Sequence, residues 1–184
     1  MFDKDRFIQN CIEAVAEGKL AVQAVVAEAV SDRASLISAL GEPAHAGLST
    51  LYRSDDLTII DFAWAPCMSL MPHNHQMFSV VGIYSGREDN LFWGRTKTSI
   101  EAIGAKSLGA GEVVVLGEPI IHSVLNPIGK MTRAIHVYGG DFFQPHSPRS
   151  EWEHETLTER SWNMERVKQL FAEAESRFNA TANG

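Results

Sequence analysis

The sequence is poor in cysteine, has fewer basic than acidic residues and lacks long apolar runs. Its two cysteines, Cys11 and Cys67, lie in apolar surroundings without a C-x-x-C spacing, so we expect two buried free thiols. The 16 Lys and Arg residues against 23 Asp and Glu residues give a net charge of −7, which disfavours nucleic acid or an anionic membrane as a partner. No apolar stretch approaches the ~20 residues that span a bilayer.

The N-terminal residues and the overall composition indicate a cytoplasmic globular protein. Residues 1–6 lack the basic and then apolar plan of a secretory signal. Apolar residues make up 45% of the chain, which is ordinary for a protein with a hydrophobic core. The length of 184 residues, without an internal repeat or a low-complexity linker, predicts one domain over residues 1–184.

The first part of the chain has the apolar spacing of helices. Apolar residues recur there at three- and four-residue intervals: Phe7, Ile8, Cys11, Ile12 and Val15. Gly18 ends this helix, and a second apolar-rich helix follows over residues 20–30. Asp32 can cap a third, short helix that Gly41 closes. We therefore predict an N-terminal helical segment over residues 1–47.

Residues 48–143 change to short strands separated by turn residues, which predicts a β-barrel over this range. The predicted strands are 57–64, 78–84, 90–97, 112–116, 120–125 and 131–138. Many short strands at close spacing indicate an antiparallel barrel or jelly roll. The helical spacing returns in a predicted C-terminal segment over residues 150–178, in which Val167 and Phe171 are expected to face the barrel.

A group of histidines follows the strand pattern. In an extended strand, residues two apart share one face, so His73 and His75 can aim at a common point. His122 ends a later apolar run, and if it folds against the first two, three imidazoles converge on a metal site with open positions. Neutral imidazoles suit iron, nickel, copper or zinc, so the ligands alone do not name the metal.

The histidine spacing resembles the two sequence motifs of the cupin superfamily. His73 and His75 match the H-x-H of the first motif, with Ser79 at the position of its Glu and Gly86 at the position of its last Gly. The second motif is matched at its intervals by Gly111, Pro119, His122 and Asn126. This resemblance implies a mainly β fold, the cupin double-stranded β-helix (an RmlC-like jelly-roll barrel), with N-terminal helices and a C-terminal helix.

Within the cupins, the chain is similar to the thiol dioxygenases of the cysteine dioxygenase family. These enzymes hold Fe(II) by three histidines without the Glu, and a Ser-x-His-x-Tyr triad follows the third ligand. Here the triad positions read Ala134, His136 and Tyr138. The resemblance implies His136 and Tyr138 as catalytic residues: Tyr138 would donate a hydrogen bond to oxygen or substrate, and His136 would orient Tyr138.

The same resemblance implies His73, His75 and His122 as the metal ligands and Arg53 as a substrate-binding residue. In family members that use cysteine, an arginine on an early strand binds the substrate carboxylate, and in mercaptopropionate-type members a glutamine stands there. Arg53 is the nearby counterpart. The sequence Arg53-Ser54-Asp55-Asp56 is equally typical of a solvated turn with local ion pairs, so both interpretations stand.

Taken together, the resemblance implies an iron-dependent oxidoreductase. The expected activity is a non-haem Fe(II) thiol dioxygenase that oxidises a small thiol, such as cysteine or 3-mercaptopropionate, to its sulfinic acid with O2. One alternative is a metallo-cupin with another activity, in which another divalent metal such as Ni or Zn is held by the same ligands. The other is a ligand-binding or sensor cupin without turnover. The expected partners are the thiol and O2, with no nucleic acid and no membrane, and the expected assembly is a monomer or homodimer.

Overall fold

Three helices form the N-terminal part of the chain. The computed structural model describes residues 1–182, and it places these helices as α1 Lys4–Glu17, α2 Lys19–Ser31 and α3 Arg33–Leu40. Asp3 caps α1 and Asp32 caps α3. Each carboxylate accepts a hydrogen bond from the backbone N–H three residues later, at 3.0 Å from Arg6 N and 3.2 Å from Ser35 N. Gly18, with a φ of 103°, separates α1 from α2, and Gly41 closes α3. The predicted breaks and caps of this segment are confirmed.

Eleven strands follow within the described residues. They are β1 Gly47–Arg53, β2 Thr58–Trp64, β3 Ser69–Asn74, β4 Ser79–Ser85, β5 Arg87–Arg95, β6 Ile100–Gly109, β7 Val113–Leu116, β8 Ile121–Leu125, β9 Thr132–Tyr138, β10 Ser150–Trp152 and β11 Glu159–Ser161. A five-stranded sheet has the order β1-β2-β9-β4-β7, and a six-stranded sheet has the order β11-β10-β3-β8-β5-β6. Neighbouring strands in both sheets are antiparallel.

The strand order is that of a jelly roll. From β2 to β5 each strand lies in the opposite sheet from the one before, and the alternation resumes from β6 to β9. The predicted fold class is therefore confirmed: a mainly β double-stranded β-helix with helices at both ends. The assignment of residues 1–184 to one domain stays a prediction, and residues 183–184 lie outside the described part.

The C-terminal segment begins differently from the prediction. The range 150–178 starts with β10 and β11, which extend the six-stranded sheet, and helix α4 covers Met164–Ala182. Strands of three residues are too short to show the alternation of apolar and polar residues that predicts a strand. β10 is defined instead by its pairing with the distant β3, in which Glu151 lies opposite His73. None of the helices within residues 1–182 is long and apolar enough to cross a membrane.

The inner part of the core fills the space between the two sheets. Phe62 of β2, Leu70 of β3 and Val124 of β8 are buried there, and α4 adds Val167 and Phe171. Burial of these apolar side chains holds the two sheets and α4 together. This packing also brings the inner face of β9 opposite the inner faces of β3 and β8.

The outer part of the core lies between the five-stranded sheet and the N-terminal helices. Helix α2 packs on β4, where Gly82 allows a close approach: a Cβ atom at this position would lie 2.5 Å from Val26 Cγ1 and 2.8 Å from Val30 Cγ1. Apolar side chains thus cover both faces of β4, which explains why the sequence of this strand is apolar without alternation.

One of the two cysteines departs from the expected burial. Cys11 is buried in α1, as predicted, and burial raises the pKa of its thiol to about 12. Cys67 is exposed in the turn between β2 and β3, where it has a φ of 54° and its backbone N–H donates to Ile128 O. The prediction of a buried thiol at Cys67 is wrong, because the preceding apolar residues belong to the end of β2 while Cys67 itself lies in the turn.

Candidate metal centre

Three histidines converge between the two sheets. His73 of β3 pairs in register with His122 of β8, and His75 directly follows the end of β3. The Nε2 atoms of His73 and His75 are 3.1 Å apart, those of His75 and His122 are 3.3 Å apart, and all three lie within 4.8 Å of one another. Two imidazole nitrogens bound to one metal ion lie roughly 2.9–3.4 Å apart. This group could therefore hold a divalent metal.

The Nδ1 atom of each histidine lies within hydrogen-bond distance of a polar group, as is usual for histidines that bind a metal ion. His73 Nδ1 donates to Met71 O at 2.9 Å, and since a carbonyl only accepts, the lone pair of this ring is on Nε2. His122 Nδ1 lies 2.7 Å from Asn90 Oδ1, and His75 Nδ1 lies 3.3 Å from Ser79 Oγ. Hydrogen bonds of this kind fix the ring orientation of metal-ligating histidines.

Burial keeps the three imidazoles neutral. Desolvation lowers the pKa of His73 to about 4, and it lowers the pKa values of His75 and His122 well below their usual range. Their mutual repulsion in the charged form acts in the same direction for His75 and His122. At neutral pH all three rings therefore offer a free lone pair, which is the form that binds a metal ion.

The opposite sheet contributes His136 and Tyr138, which share the inner face of β9. His136 Nδ1 and the Tyr138 hydroxyl lie 3.1 Å apart, within hydrogen-bond distance. The Tyr138 ring stands edge-on to the His75 ring, with 5.1 Å between the ring centroids. Burial raises the pKa of the Tyr138 hydroxyl, so the phenol is neutral and keeps its proton. The structure thus brings both predicted catalytic residues to the three-histidine group.

A buried carboxylate, which the sequence did not indicate, lies next to His136. Glu88 belongs to β5, has no exposed surface, and its Oε2 atom lies 3.6 Å from His136 Nε2. The predicted strand over residues 90–97 began after Glu88, but β5 begins at Arg87. Extending the alternation of that strand toward its start would have placed Glu88 on the inner face together with Asn90.

Arg53 and Arg149 have different environments. Arg53 lies at the end of β1, and its Nε and Nη2 atoms donate to the Asp141 carboxylate at 2.9 and 2.7 Å, while its side chain is 41% exposed. Arg149 is buried, and its Nε and Nη1 atoms find no hydrogen-bond partner among residues 1–182. Its guanidinium stacks on the Phe142 and Trp162 rings at 4.4 and 4.5 Å.

Arg149 is close to the histidines. The Trp162 ring that it covers lies 5.1 Å from the His73 ring, and the positive charge of Arg149 contributes to lowering the pKa of His73. The sequence does not indicate Arg149, because it stands in a Pro- and Ser-containing loop before β10, where an arginine is ordinarily solvated.

The space between the three histidines and Tyr138 is small and mostly apolar. It amounts to about 10 Å³, roughly one water molecule, and Phe62 and Trp64 are among the side chains that line it. A surface recess of about 310 Å³ adjoins it and is lined by Phe143, Pro145, Arg149, Trp162 and Met164. Trp162 and Met164 line both spaces. They therefore separate the metal centre from the recess that holds Arg149.

Comparisons with known proteins found matches among solved structures. No protein-family model and no curated protein matches the chain. A solved structure from Klebsiella pneumoniae, described as an uncharacterized conserved protein with a double-stranded β-helix domain, matches 67% of this chain and 89% of its own, with 10% identity and a TM-score of 0.44. An RmlC-like cupin family protein from Methanocaldococcus jannaschii matches 55% and 86%, with 10% identity and a TM-score of 0.47.

A cupin superfamily protein from Desulfitobacterium hafniense is similar to the same degree. It matches 57% of this chain and 88% of its own, with 16% identity and a TM-score of 0.45. At these identities and TM-scores the matches carry no conclusion about this chain, and the candidate metal centre rests on its own side chains. The resemblance to the cupin superfamily, and the closer one to the cysteine dioxygenase family, stay predictions from the sequence.

Proposed function

We propose that this protein is a non-haem Fe(II) thiol dioxygenase that oxidises a small thiol to its sulfinic acid with O2. The observation that carries this proposal is the convergence of three neutral Nε2 atoms opposite the buried hydroxyl of Tyr138. Iron bound by the three histidines would lower the pKa of a coordinating thiol and bring thiol and O2 together. The overall change, RSH + O2 → RSO2H, balances without a further reductant.

The remaining residues of the site position groups and exclude water. Tyr138 offers a neutral hydroxyl to the oxygen or substrate, and His136, within hydrogen-bond distance, positions that hydroxyl. Phe62 and Trp64 stack on each other with 5.1 Å between ring centroids and close the apolar side of the site. A site of this kind favours oxygen transfer to sulfur over side reactions with water.

We also propose that the substrate carries a carboxylate and that Arg149 binds it. A buried guanidinium with free N–H groups has a strong tendency to pair with an anion, and a carboxylate accepts two of its hydrogen bonds. The position of Arg149 beside the His73–Trp162 pair would leave the thiol end of a small substrate at the histidines. Arg53 as the anchor stays a prediction from the resemblance, and its guanidinium is engaged by Asp141.

A second candidate is a cupin that binds a ligand without turnover. The observation that favours it is the small space at the histidines, about 10 Å³, which is less than a thiol substrate needs. Under the dioxygenase proposal, Trp162 and Met164 must move aside for the substrate. Met164 begins α4 and has a flexible side chain that can do so at low cost.

Oxygen uptake by iron-loaded protein distinguishes these functions. Protein purified without chelator is loaded with Fe(II) and supplied with cysteine, 3-mercaptopropionate or cysteamine. We expect uptake with at least one carboxylate-bearing thiol and equimolar formation of the sulfinic acid. His122→Ala is expected to lose both iron and uptake, whereas His45→Ala, an exposed histidine, keeps both. No uptake with any thiol by iron-loaded wild-type protein would contradict the proposal.

Paired arginine variants test the carboxylate anchor. Loss of a charge-assisted hydrogen bond costs about 1.5–3 kcal/mol, so Arg149→Met is expected to raise KM for the carboxylate-bearing thiols roughly 10- to 150-fold. Arg53→Met is the matched control and is expected to leave KM near the wild-type value. The reverse result would assign the anchor to Arg53. Cysteamine, which lacks a carboxylate, should be a poor substrate for wild-type protein and should not distinguish the two variants.

A further inference from the structure

The carboxylate of Glu88 is a buried polar group that the proposed activity does not yet use. Its Oε1 atom accepts a hydrogen bond from Asn90 Nδ2 at 2.9 Å. Its Oε2 atom and His136 Nε2 face each other at 3.6 Å, and neither has a hydrogen-bond partner among residues 1–182. Glu88 therefore lies at a branch point, with one oxygen directed to each side of the metal centre.

The first branch leads to a metal ligand. Because the Asn90 amide N–H group donates to Glu88, its Oδ1 atom is the acceptor for His122 Nδ1–H at 2.7 Å. This direction of donation leaves the lone pair of His122 on Nε2, which faces the other two ligands. Electron density from Glu88 is thus relayed through one amide group to a metal-binding ring.

The second branch leads to the phenol on the opposite sheet. His136 stands between Glu88 and Tyr138, with Nε2 toward the carboxylate and Nδ1 toward the hydroxyl at 3.1 Å. The carboxylate favours a proton on Nε2 of this ring. Nδ1 is then the acceptor of a hydrogen bond from the phenol. Glu88 is in this way linked to both halves of the centre.

The negative charge of Glu88 would balance part of the positive charge of a divalent ion at the three histidines. Three neutral imidazoles leave the two positive charges of a divalent ion uncompensated in a buried space, and a buried carboxylate without a cation is itself costly. Within residues 1–182 no Lys or Arg forms an ion pair with Glu88. We propose that the buried carboxylate of Glu88 is a positioning group that strengthens divalent-metal binding by the three histidines. This inference rests on the metal site of the proposed function.

Metal affinity of matched variants tests this role. Glu88→Gln keeps the shape and the acceptor for Asn90 but removes the charge, and Glu101→Gln makes the same change on the exposed face of β6. The dissociation constants for Co(II) and Fe(II) are measured by competition with a chelator. Loss of an outer partner of a metal ligand typically weakens metal binding 10- to 100-fold, so we expect roughly this loss for Glu88→Gln and no change for Glu101→Gln.

The visible spectrum of bound Co(II) provides a second measurement that a change in folding stability alone would not move. We expect the Co(II) bands to shift in Glu88→Gln and to stay in place in Glu101→Gln. Should Glu88→Gln fail to fold, Asn90→Ala interrupts the same branch and is expected to weaken Co(II) binding by a similar factor. Wild-type affinity and spectrum in the folded variant would overturn the role of Glu88.

The outcomes separate this inference from the proposed function. Wild-type protein that binds no divalent ion would overturn the metal site itself, and with it both proposals. Wild-type protein that binds the ion but oxidises no thiol would overturn the dioxygenase while the affinity difference for Glu88→Gln stands. Equal affinity of wild type and Glu88→Gln in an active enzyme would overturn only the role of Glu88.

Discussion

Arg149 shows at the scale of a single residue how burial of a charged group lowers stability. Burial lowers the pKa of its guanidinium to about 10, and at about 1.36 kcal/mol per pKa unit the buried charge costs roughly 3 kcal/mol, which the Phe142 and Trp162 rings offset in part. Arg149→Met is expected to raise the free energy of unfolding by about 1 kcal/mol. Urea denaturation measures this change. Arg149→Lys, which keeps the charge, should show no such gain, and a lower stability of Arg149→Met would contradict the prediction.

The ion pair of Arg53 and Asp141 predicts a dependence on pH. Hydrogen bonds from Arg53 hold the pKa of Asp141 below its usual range. Because the unfolded state then binds the proton first as the pH falls, the pair stabilises the fold above about pH 4, and this stabilisation is lost toward the lower folded pKa. Thermal unfolding of wild type and Arg53→Gln should therefore differ more at pH 6 than at pH 3. An equal difference at both values would show that the pair does not titrate in this way.

Residue spacing predicted the histidines and the tyrosine of the candidate metal centre, but not its buried charged residues. The intervals of two between His73 and His75 and between His136 and Tyr138 are readable from the sequence, because a strand places such residues on one face. Arg149 was not readable, and Glu88 was readable only by extending the alternation of β5 back from Asn90. Charged side chains are ordinarily exposed, and only the three-dimensional path of β5 and of the loop before β10 buries these two.

At the scale of elements, the contact of α2 with β4 depends on Gly82. Any side chain at this position would collide with Val26 and Val30, so Gly82→Ala is expected to lower the free energy of unfolding by about 1–3 kcal/mol. Gly104→Ala in β6 is the matched control, because a Cβ there meets no atom within 4 Å. Thermal or urea unfolding of both variants measures the difference. Equal stability of the two would mean that α2 adjusts without cost.

The elements found from the sequence are those whose burial leaves a pattern. Strands β2, β4, β8 and β9 are buried along most of their length, so their apolar runs between turn residues predicted them to within about one residue. β6 is exposed over most of its ten residues and carries no apolar run, and β10 and β11 have three residues each. Only pairing with neighbouring strands, which sequence patterns do not record, defines these three.

At the scale of the whole molecule, metal binding at the three histidines is expected to stabilise the folded state. A ligand that binds only the folded state at 100 times its Kd adds about 2.7 kcal/mol, which for a chain of 184 residues corresponds to roughly 5–10 °C in Tm. Adding Ni(II) or Fe(II) to chelator-treated protein, at about 100 times its Kd, is therefore expected to raise Tm by roughly 5–10 °C, as measured by calorimetry. His75→Ala should abolish the shift and His45→Ala should retain it. A shift that persists in His75→Ala would place the bound ion elsewhere.

The three histidines of the candidate metal centre and Tyr138 belong to different sheets. The three histidines are attached to the six-stranded sheet, and Tyr138 is attached to the five-stranded sheet. The separation of the sheets is set by side chains such as Phe62, Leu70 and Val124, which have no polar atom. The distance between the phenol and the three histidines is thereby an outcome of hydrocarbon packing. Under the proposed function, exchanging one methylene group in the interior would change the rate without altering any residue that takes part in the reaction.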